Sequence, residues 1–514
     1  MSVATPAGAP AGRGDRWVLL GSAVAGATAL LVVLVYFVRA GVLVSYPWDW
    51  SPDEGLYLDY GRRVLESPGS LYPRRAVPFP SAYGPLVPVL LAPLVGLPHP
   101  LMAARLLALA WTAAGAAAVA TLLRRSPSPA WAAAAVALYL APFDLSFWHV
   151  LVRVDGPMTA LWLWAAVPLL PRALERGKDA LSAGRLAAGT ALLLAAVLVK
   201  PTAVLHGAPL VLGWFLVDRR SAWRLVGAMS ATGLAALGAL QVATGGGFLW
   251  VNRLWTLHPT DLSLPAKIVA RFGTLAWPVL VLALGTGVAA WAARGRPHRE
   301  PAVLLLAGGL AIAPLLGKQG AAWNYLLPFF AATVVAAGRW GSILRPWPAA
   351  ASILALALAA TRPFLLPTAL DEATARFFYG FTQEVQRRTG GPLLVTRPDL
   401  VYFLAGQPAE IEGSSFLHLA AGGAPGTDGV LRGLEERRYA LVVWTWPLPD
   451  SPEWTGALLR GYARVGECRL GSYFGAPFPS HLAVRRDLAL AFDPPPGTRC
   501  AAAKPDPSNG VTRP

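Results

Sequence analysis

Long apolar runs alternate with short polar connections along most of this chain. The first run, residues 17–38, is long enough to cross a bilayer as a helix. Before it, residues 1–16 are small and polar, with Arg13 and Arg16, and read as a cytoplasmic leader. A cleaved signal peptide is the rival reading. The run is long for a signal h-region, and no convincing cleavage site follows it, which favours an uncleaved span.

Residues 39–99 break the pattern. They form a loop rich in Pro, Tyr and Trp, with two short amphipathic or re-entrant pieces at 53–66 and 83–97. Apolar runs then return at 100–123, 129–145, 157–171, 186–200, 201–217, 225–244, 272–293, 301–317, 324–338 and 347–361. With the first run this makes about eleven spans. Pro209 inside one of them predicts local distortion rather than a break.

The charges orient the spans. With the N-terminus inside, the inner connections hold Arg124 and Arg125, then Arg172, Arg176 and Lys178. Arg219, Arg220 and Arg224 follow, then Arg294, Arg296 and Arg299, then Arg339 and Arg345. Each inner connection is basic, as the positive-inside rule requires. An odd number of spans leaves the C-terminal part outside.

Residues 362–492 lose the uniform apolarity and predict an exterior α/β domain. Strands are expected at 392–396, 439–446 and 481–484, and helices at 399–405 and 430–437. Residues 493–514 are Pro-rich and polar and predict a disordered tail. The fold class is an α-helical polytopic membrane protein with a C-terminal exterior α/β domain.

Composition sharpens this reading. Of 514 residues, 55% are hydrophobic and 14% charged, against about a quarter charged in a soluble protein. Much of the net charge of +16 sits in short connections between apolar runs, which argues against a nucleic-acid partner. Arg dominates, the lysines being Lys178, Lys200, Lys267, Lys318 and Lys504. The wealth of Ala, Gly, Pro and Arg suits a GC-rich bacterial source. Two cysteines, Cys468 and Cys500, exclude a zinc-finger or iron–sulfur framework; outside the cytoplasm they could pair. Walker A, G-x-S-x-G, H-E-x-x-H and dinucleotide fingerprints do not occur.

Candidate chemistry gathers at the outer edge. Asp53 and Glu54 follow the first span in Trp48-Asp49-Trp50-Ser51-Pro52-Asp53-Glu54-Gly55. Adjacent helical residues do not face each other, so one of the two at most points into a given pocket. The plainer alternative is that they cap the following helix. Asp155, in Arg153-Val154-Asp155-Gly156-Pro157, sits at the outer start of the fourth span and is open to the same two readings. Lys200 and Lys318 stand at outer edges where the positive-inside bias depletes cations. They either snorkel to headgroups or bind a lipid phosphate, with Arg153, Arg105 and Arg271 as weaker candidates. Trp250, Asn252, Trp255, His258 and Asp261 in the outer loop 245–271 form an interfacial belt or a sugar-stacking surface. His258 lacks a second His at metal-ligand spacing.

This ordered set resembles the GT-C superfamily of polyprenyl-phosphate-sugar-dependent glycosyltransferases, which includes protein O-mannosyltransferases and lipid A aminoarabinose transferases. The resemblance covers roughly residues 17–345 plus an exterior C-terminal domain. It rests on Asp53-Glu54-Gly55-Leu56-Tyr57, Tyr83-Gly84-Pro85-Leu86, Arg105, Arg153-Val154-Asp155-Gly156-Pro157, Lys200-Pro201-Thr202, and Lys318 ahead of Asn324-Tyr325 and Pro328. Gly55-Leu56 and Gly156-Pro157 depart from the best-known subfamilies, which leaves the substrate open.

The resemblance implies an inverting glycosyltransferase in the plasma (inner) membrane. Its partners would be a polyprenyl-phosphate-linked sugar, membrane lipid, and a glycan, lipid or protein acceptor. Asp53 would be the base, with Glu54 as a less defined partner and Asp155 orienting the acceptor or assisting a divalent cation. Lys200, Lys318 and Arg153 would hold the phosphate, with Tyr83, Asn324 and Tyr325 lining the site. The sequence indicates no cofactor. The rival classes are a secondary transporter, which would favour inverted repeats and midplane acids, and a non-catalytic envelope-assembly scaffold.

Overall fold

A computed structural model describes residues 13–503 apart from 52, 76, 125–128, 143–147, 149, 171–180, 295–300, 319–320, 342–370, 397–399, 412–415, 417–419, 421–423, 445–451, 471–477 and 489. Helices occupy the first ten of the eleven expected span positions. They are α1 (Arg13–Ser45), α4 (Pro100–Leu123), α5 (Pro129–Leu140), α6 (Asp155–Leu169), α7 (Ala183–Val199), α8 (Ala203–Val217), α9 (Arg219–Ala243), α11 (Leu264–Arg294), α12 (Ala302–Leu310) and α13 (Leu327–Gly341). The expected span at 347–361 lies outside the described residues.

Among the described residues, four helical stretches are long and apolar enough to cross a membrane: Ser22–Ser45, Pro100–Leu123, Arg219–Ala243 and Leu264–Ala289. Shorter apolar helices pack among them. Large apolar side chains on α9 and its surroundings stay exposed, among them Leu216, Trp223, Leu234 and Val242. Lipid-facing surface has that composition, because a bilayer gives apolar groups no reason to hide. The chain is a multi-pass membrane protein.

Between α1 and α4, the expected amphipathic pieces appear as α2 (Glu54–Glu66) and α3 (Leu86–Leu91). The first two turns of α2 are buried all round, through Leu56, Tyr57, Leu58, Asp59 and Tyr60, and Arg63 is buried beyond them. The Arg63 guanidinium reaches Asp59 Oδ2 at 2.6 Å, Phe79 O at 2.8 Å and Ala409 O at 3.0 Å. Asp59 Oδ2 also accepts from Ala409 N at 3.0 Å. The first loop is thereby fastened to the C-terminal part.

Residues 371–503 build a five-stranded mixed sheet in the order β1-β2-β4-β3-β5. Its strands are β1 (Leu393–Val395), β2 (Leu441–Trp444), β3 (Tyr462–Leu470), β4 (Phe478–Arg485) and β5 (Cys500–Ala502). β1 runs parallel to β2, and the other neighbours pair antiparallel. Helix α14 (Glu372–Thr389) is amphipathic and buries Phe378, Tyr379, Thr382 and Val385.

One expectation is overturned at the end of the chain. The tail read as disordered from residue 493 instead supplies β5, which pairs with β3. A disulfide between Cys468 and Cys500 fixes it there. Proline-rich composition gave no hint of this, because a covalent bond and a strand pairing compensate for the missing apolar burial. Residues 504–514 lie outside the described residues.

Candidate active site

The two adjacent acids go to different places. Glu54 opens α2 and is fully buried. Its carboxylate faces Arg105 of α4, also fully buried, with Nη2–Oε2 at 2.5 Å and Nε–Oε1 at 2.9 Å. Glu54 also accepts from the backbone N–H groups of Trp50 at 2.7 Å, Ser51 at 3.4 Å and Val152 at 3.3 Å. Arg105 donates further to the carbonyls of Leu43, Tyr46 and Trp48 at 3.1, 2.6 and 2.8 Å. A bidentate, fully hydrogen-bonded pair of this kind is what makes a buried ion pair tolerable. It locks the end of α1, the acidic loop and the segment before α6 together. Arg105, expected as a phosphate candidate, is occupied in this way.

Asp53 occupies the N-cap position of α2 but makes no side-chain cap bond, so the capping alternative fails. Its Oδ2 instead meets Arg153 Nη1. The Arg153 guanidinium also reaches Ser51 Oγ at 3.4 Å and Asp155 Oδ2 at 3.6 Å, and it lies 4.6 Å over the Trp148 ring. Burial works against the Arg153 cation, but Asp53, followed by Tyr57 and then Asp155, holds it above its ordinary range.

Asp155 is the first residue of α6, and its helix has no side-chain cap. Lys200 Nζ donates to its Oδ1 at 2.7 Å, and Asn324 Nδ2 to its Oδ2 at 2.9 Å. Lys200 Nζ also sits 4.0 Å from the Tyr325 ring centroid and 5.9 Å from that of Tyr83. Five separate segments thus converge: the loop before α2, the Tyr83 loop, the turn before α6, the end of α7, and the turn Trp323–Leu326.

Gly84 explains how Tyr83 arrives. Its N–H donates to Val199 O at 3.1 Å, and a Cβ on it would stand 1.9 Å from Leu198 O. Only glycine allows that approach, which seats the Tyr83 loop against the end of α7, next to Lys200. Tyr83 stacks on Tyr57 of α2 at 5.9 Å. Burial pushes its phenol up to about 12, so it stays neutral at ordinary pH.

Lys318 does not join this cluster through its ammonium. Its Nζ donates to Thr256 O at 3.4 Å and His258 O at 3.0 Å, while its backbone bridges to Thr260. Asp261 N adds a bond to Gly317 O at 2.8 Å. These contacts fasten the loop 245–271 to the segment before Asn324. Within that loop, Asn252 bonds its own helix, α10 (Gly247–Leu254), through Phe248 O at 2.8 Å, and Asp261 accepts from Ser263 N at 2.7 Å. Trp255 packs on Phe79 and His258. Arg271 lies over Trp323 at 5.6 Å.

The sequence reading missed Asp49, Asp59, Arg63 and Trp148. Asp49 Oδ1 accepts from Tyr379 OH of α14, and Trp48 stacks on the same ring at 4.8 Å. Burial pushes the Asp49 carboxyl up to about 8, against the Tyr379 hydrogen bond and with Glu54 adding repulsion. The doubled aromatic-acid pattern around Trp48 and Trp50 was the available signal. Among the described residues, no group of three or more His, Cys, Asp or Glu side chains comes together as a metal site.

No protein-family model and no curated protein matches this sequence. Solved structures do. The aminoarabinose transferase ArnT of Cupriavidus metallidurans in its apo state aligns with TM-score 0.58 at 16% identity, over 93% of this chain and 99% of that one. The same protein bound to undecaprenyl phosphate aligns with TM-score 0.59 at 17% identity, over 90% and 99%. The Archaeoglobus fulgidus oligosaccharyltransferase, tethered to an acceptor peptide, aligns with TM-score 0.51 at 13% identity, over 91% and 74%. Both belong to the GT-C superfamily. At such identities the likeness is one of fold, and the chain has the GT-C fold.

Proposed function

We propose that this protein transfers a sugar from a polyprenyl-phosphate donor to a hydroxyl of a cell-envelope acceptor, at the outer face of the plasma membrane. The observation that carries this reading is the convergence of Asp53, Arg153, Asp155, Lys200 and Asn324, from distant segments, into one polar cluster on a GT-C fold. The undecaprenyl phosphate bound to the structurally similar ArnT supports the donor class.

Exposure separates the acids. The Asp53 side chain is 18% exposed, that of Asp155 1% and that of Glu54 0%. Asp53 is the acid a substrate can reach, and we assign it the base. Asp155, saturated by Lys200 and Asn324, holds the cation side of the site in position. Glu54 is an anchor. Arg153 and Lys200 face the donor phosphate, with Tyr83 and Tyr325 lining the approach. Lys318 fastens the loop above them.

The acceptor oxygen attacks the anomeric carbon while Asp53 takes its proton. The bond from that carbon to the phosphate oxygen breaks, and its electron pair leaves with the polyprenyl phosphate. Arg153 and Lys200 stabilise the charge gathering there. A phosphate already leaves well, so no general acid is needed. Single displacement inverts the anomeric centre.

Two features support the outer placement. Basic residues fill the connections on the opposite side, and the Cys468–Cys500 disulfide suits an oxidising compartment. An impermeant thiol reagent should therefore label single cysteines introduced into loop 39–99 of intact cells. The activity test is incubation of the purified protein with a panel of radiolabelled polyprenyl-phosphate sugars and envelope extracts. Label should leave one donor and appear in an acceptor with inverted anomeric configuration. Stable label on every donor, with a soluble sugar carried across vesicles instead, would overturn the reading in favour of a transporter.

A further inference from the structure

We propose that Arg153 is a donor-operated gate, which masks the Asp53 carboxylate until a polyprenyl phosphate draws the guanidinium away. This rests on the glycosyltransferase reading of the site and adds its regulation. The starting observation is that the acid assigned as base is held by a cation. A carboxylate engaged by a guanidinium has lone pairs occupied and accepts a proton poorly. The resting geometry is therefore that of a silenced base.

Three features make the mask releasable. First, the two ion pairs of the cluster differ in burial. The Arg153–Asp53 side chains are 12% and 18% exposed, those of Lys200–Asp155 4% and 1%. Of the two, the partly exposed pair is the one that opens at lower cost. Second, Asp155 has Lys200 and Asn324 at 2.7 and 2.9 Å, while Arg153 stands 3.6 Å away. A turn of Arg153 toward a new anion leaves Asp155 satisfied. Third, Trp148 lies 4.6 Å beneath the guanidinium. That face contact holds the charge in place while leaving the edge donors able to exchange a carboxylate for a phosphate, the two anions whose geometry they match.

The consequence is ordered activation. Without donor, no competent base meets an acceptor hydroxyl or water. With donor, the phosphate takes Arg153 and Asp53 becomes available beside the anomeric carbon. Asp53 and the phosphate thus compete for one cation, and removing the Asp53 charge should tighten phosphate binding while it abolishes transfer. A residue that merely shapes the site would not behave so.

The test is equilibrium binding of a short-chain polyprenyl phosphate carrying no sugar to detergent-solubilised full-length protein, with the matching polyprenol as control. Wild type should bind the phosphate and not the polyprenol. Asp53→Asn and Asp53→Ser should each bind it about fivefold more tightly, a difference of roughly 1 kcal/mol. The gain should vanish when Arg153→Gln is added. Unchanged or weaker binding by monodisperse Asp53→Asn and Asp53→Ser proteins would overturn the gate while leaving the donor site standing. Failure of wild type to prefer the phosphate over the polyprenol would overturn the donor reading itself.

Discussion

Lys200 Nζ stands 2.7 Å from Asp155 Oδ1, joining the end of α7 to the start of α6 through two nearly inaccessible charges. Removing one partner strands the other. Lys200→Met should lower stability by about 3 kcal/mol, read as a fall in apparent Tm in detergent, and abolish transfer. Adding Asp155→Asn should restore the Tm without restoring activity. An unchanged Tm for Lys200→Met would show that Asp155 does not need this cation.

Glu54 and Asp53 are neighbours with opposite expected phenotypes. Glu54→Ala leaves the Arg105 guanidinium buried without its carboxylate, at a cost of about 3–5 kcal/mol. Asp53→Ala removes one member of a partly exposed pair and should cost at most about 1 kcal/mol. Thermal denaturation followed by size-exclusion chromatography separates the two. The reverse order would mean that the anchor and the base are misassigned.

Asp49 should impose a pH slope on the contact between the first loop and α14. Its folded-state pKa is raised to about 8, above its unfolded value of about 3.9. The native state therefore holds a proton that the unfolded chain has lost, so stability falls as pH rises from about 4 to about 8 and levels off above. The groups around it are Tyr379, Glu54 and Arg105. Asp49→Asn should flatten the slope of apparent Tm across that window and raise the Tm at pH 8. An identical slope in the variant would remove Asp49 as its source.

Much of the membrane part was legible because apolar length reports a helix in lipid without reference to partners. The site was half legible. Asp53, Asp155 and Lys200 stood out as charges at the edges of apolar runs, where a charge needs a reason. Their pairing was hidden. Asp53 and Glu54 look alike in sequence, yet the turn of one helical residue sends Glu54 inward to Arg105, 51 positions away, and leaves Asp53 beside Arg153. Asp59 and Arg63 lie in the piece 53–66, expected only as amphipathic or re-entrant. Only the tertiary contact with Ala409 makes them a fastening. Lys318 matched the expected pattern, but its ammonium is spent on the carbonyls of Thr256 and His258. In the sheet, the strand alternation of β3 is interrupted by the register shift between Arg464 and Gly466, so the period of two did not emerge.

Asp53 is the proposed base for transfer from a polyprenyl-phosphate sugar. The most direct measurement is the single-turnover rate of sugar transfer by wild type and Asp53→Asn in the same liposomes, with the donor that wild type consumes. A base at Asp53 requires a loss of at least about a hundredfold in the variant, with melting temperature and membrane insertion unchanged. Transfer by Asp53→Asn at a rate near that of wild type would contradict it.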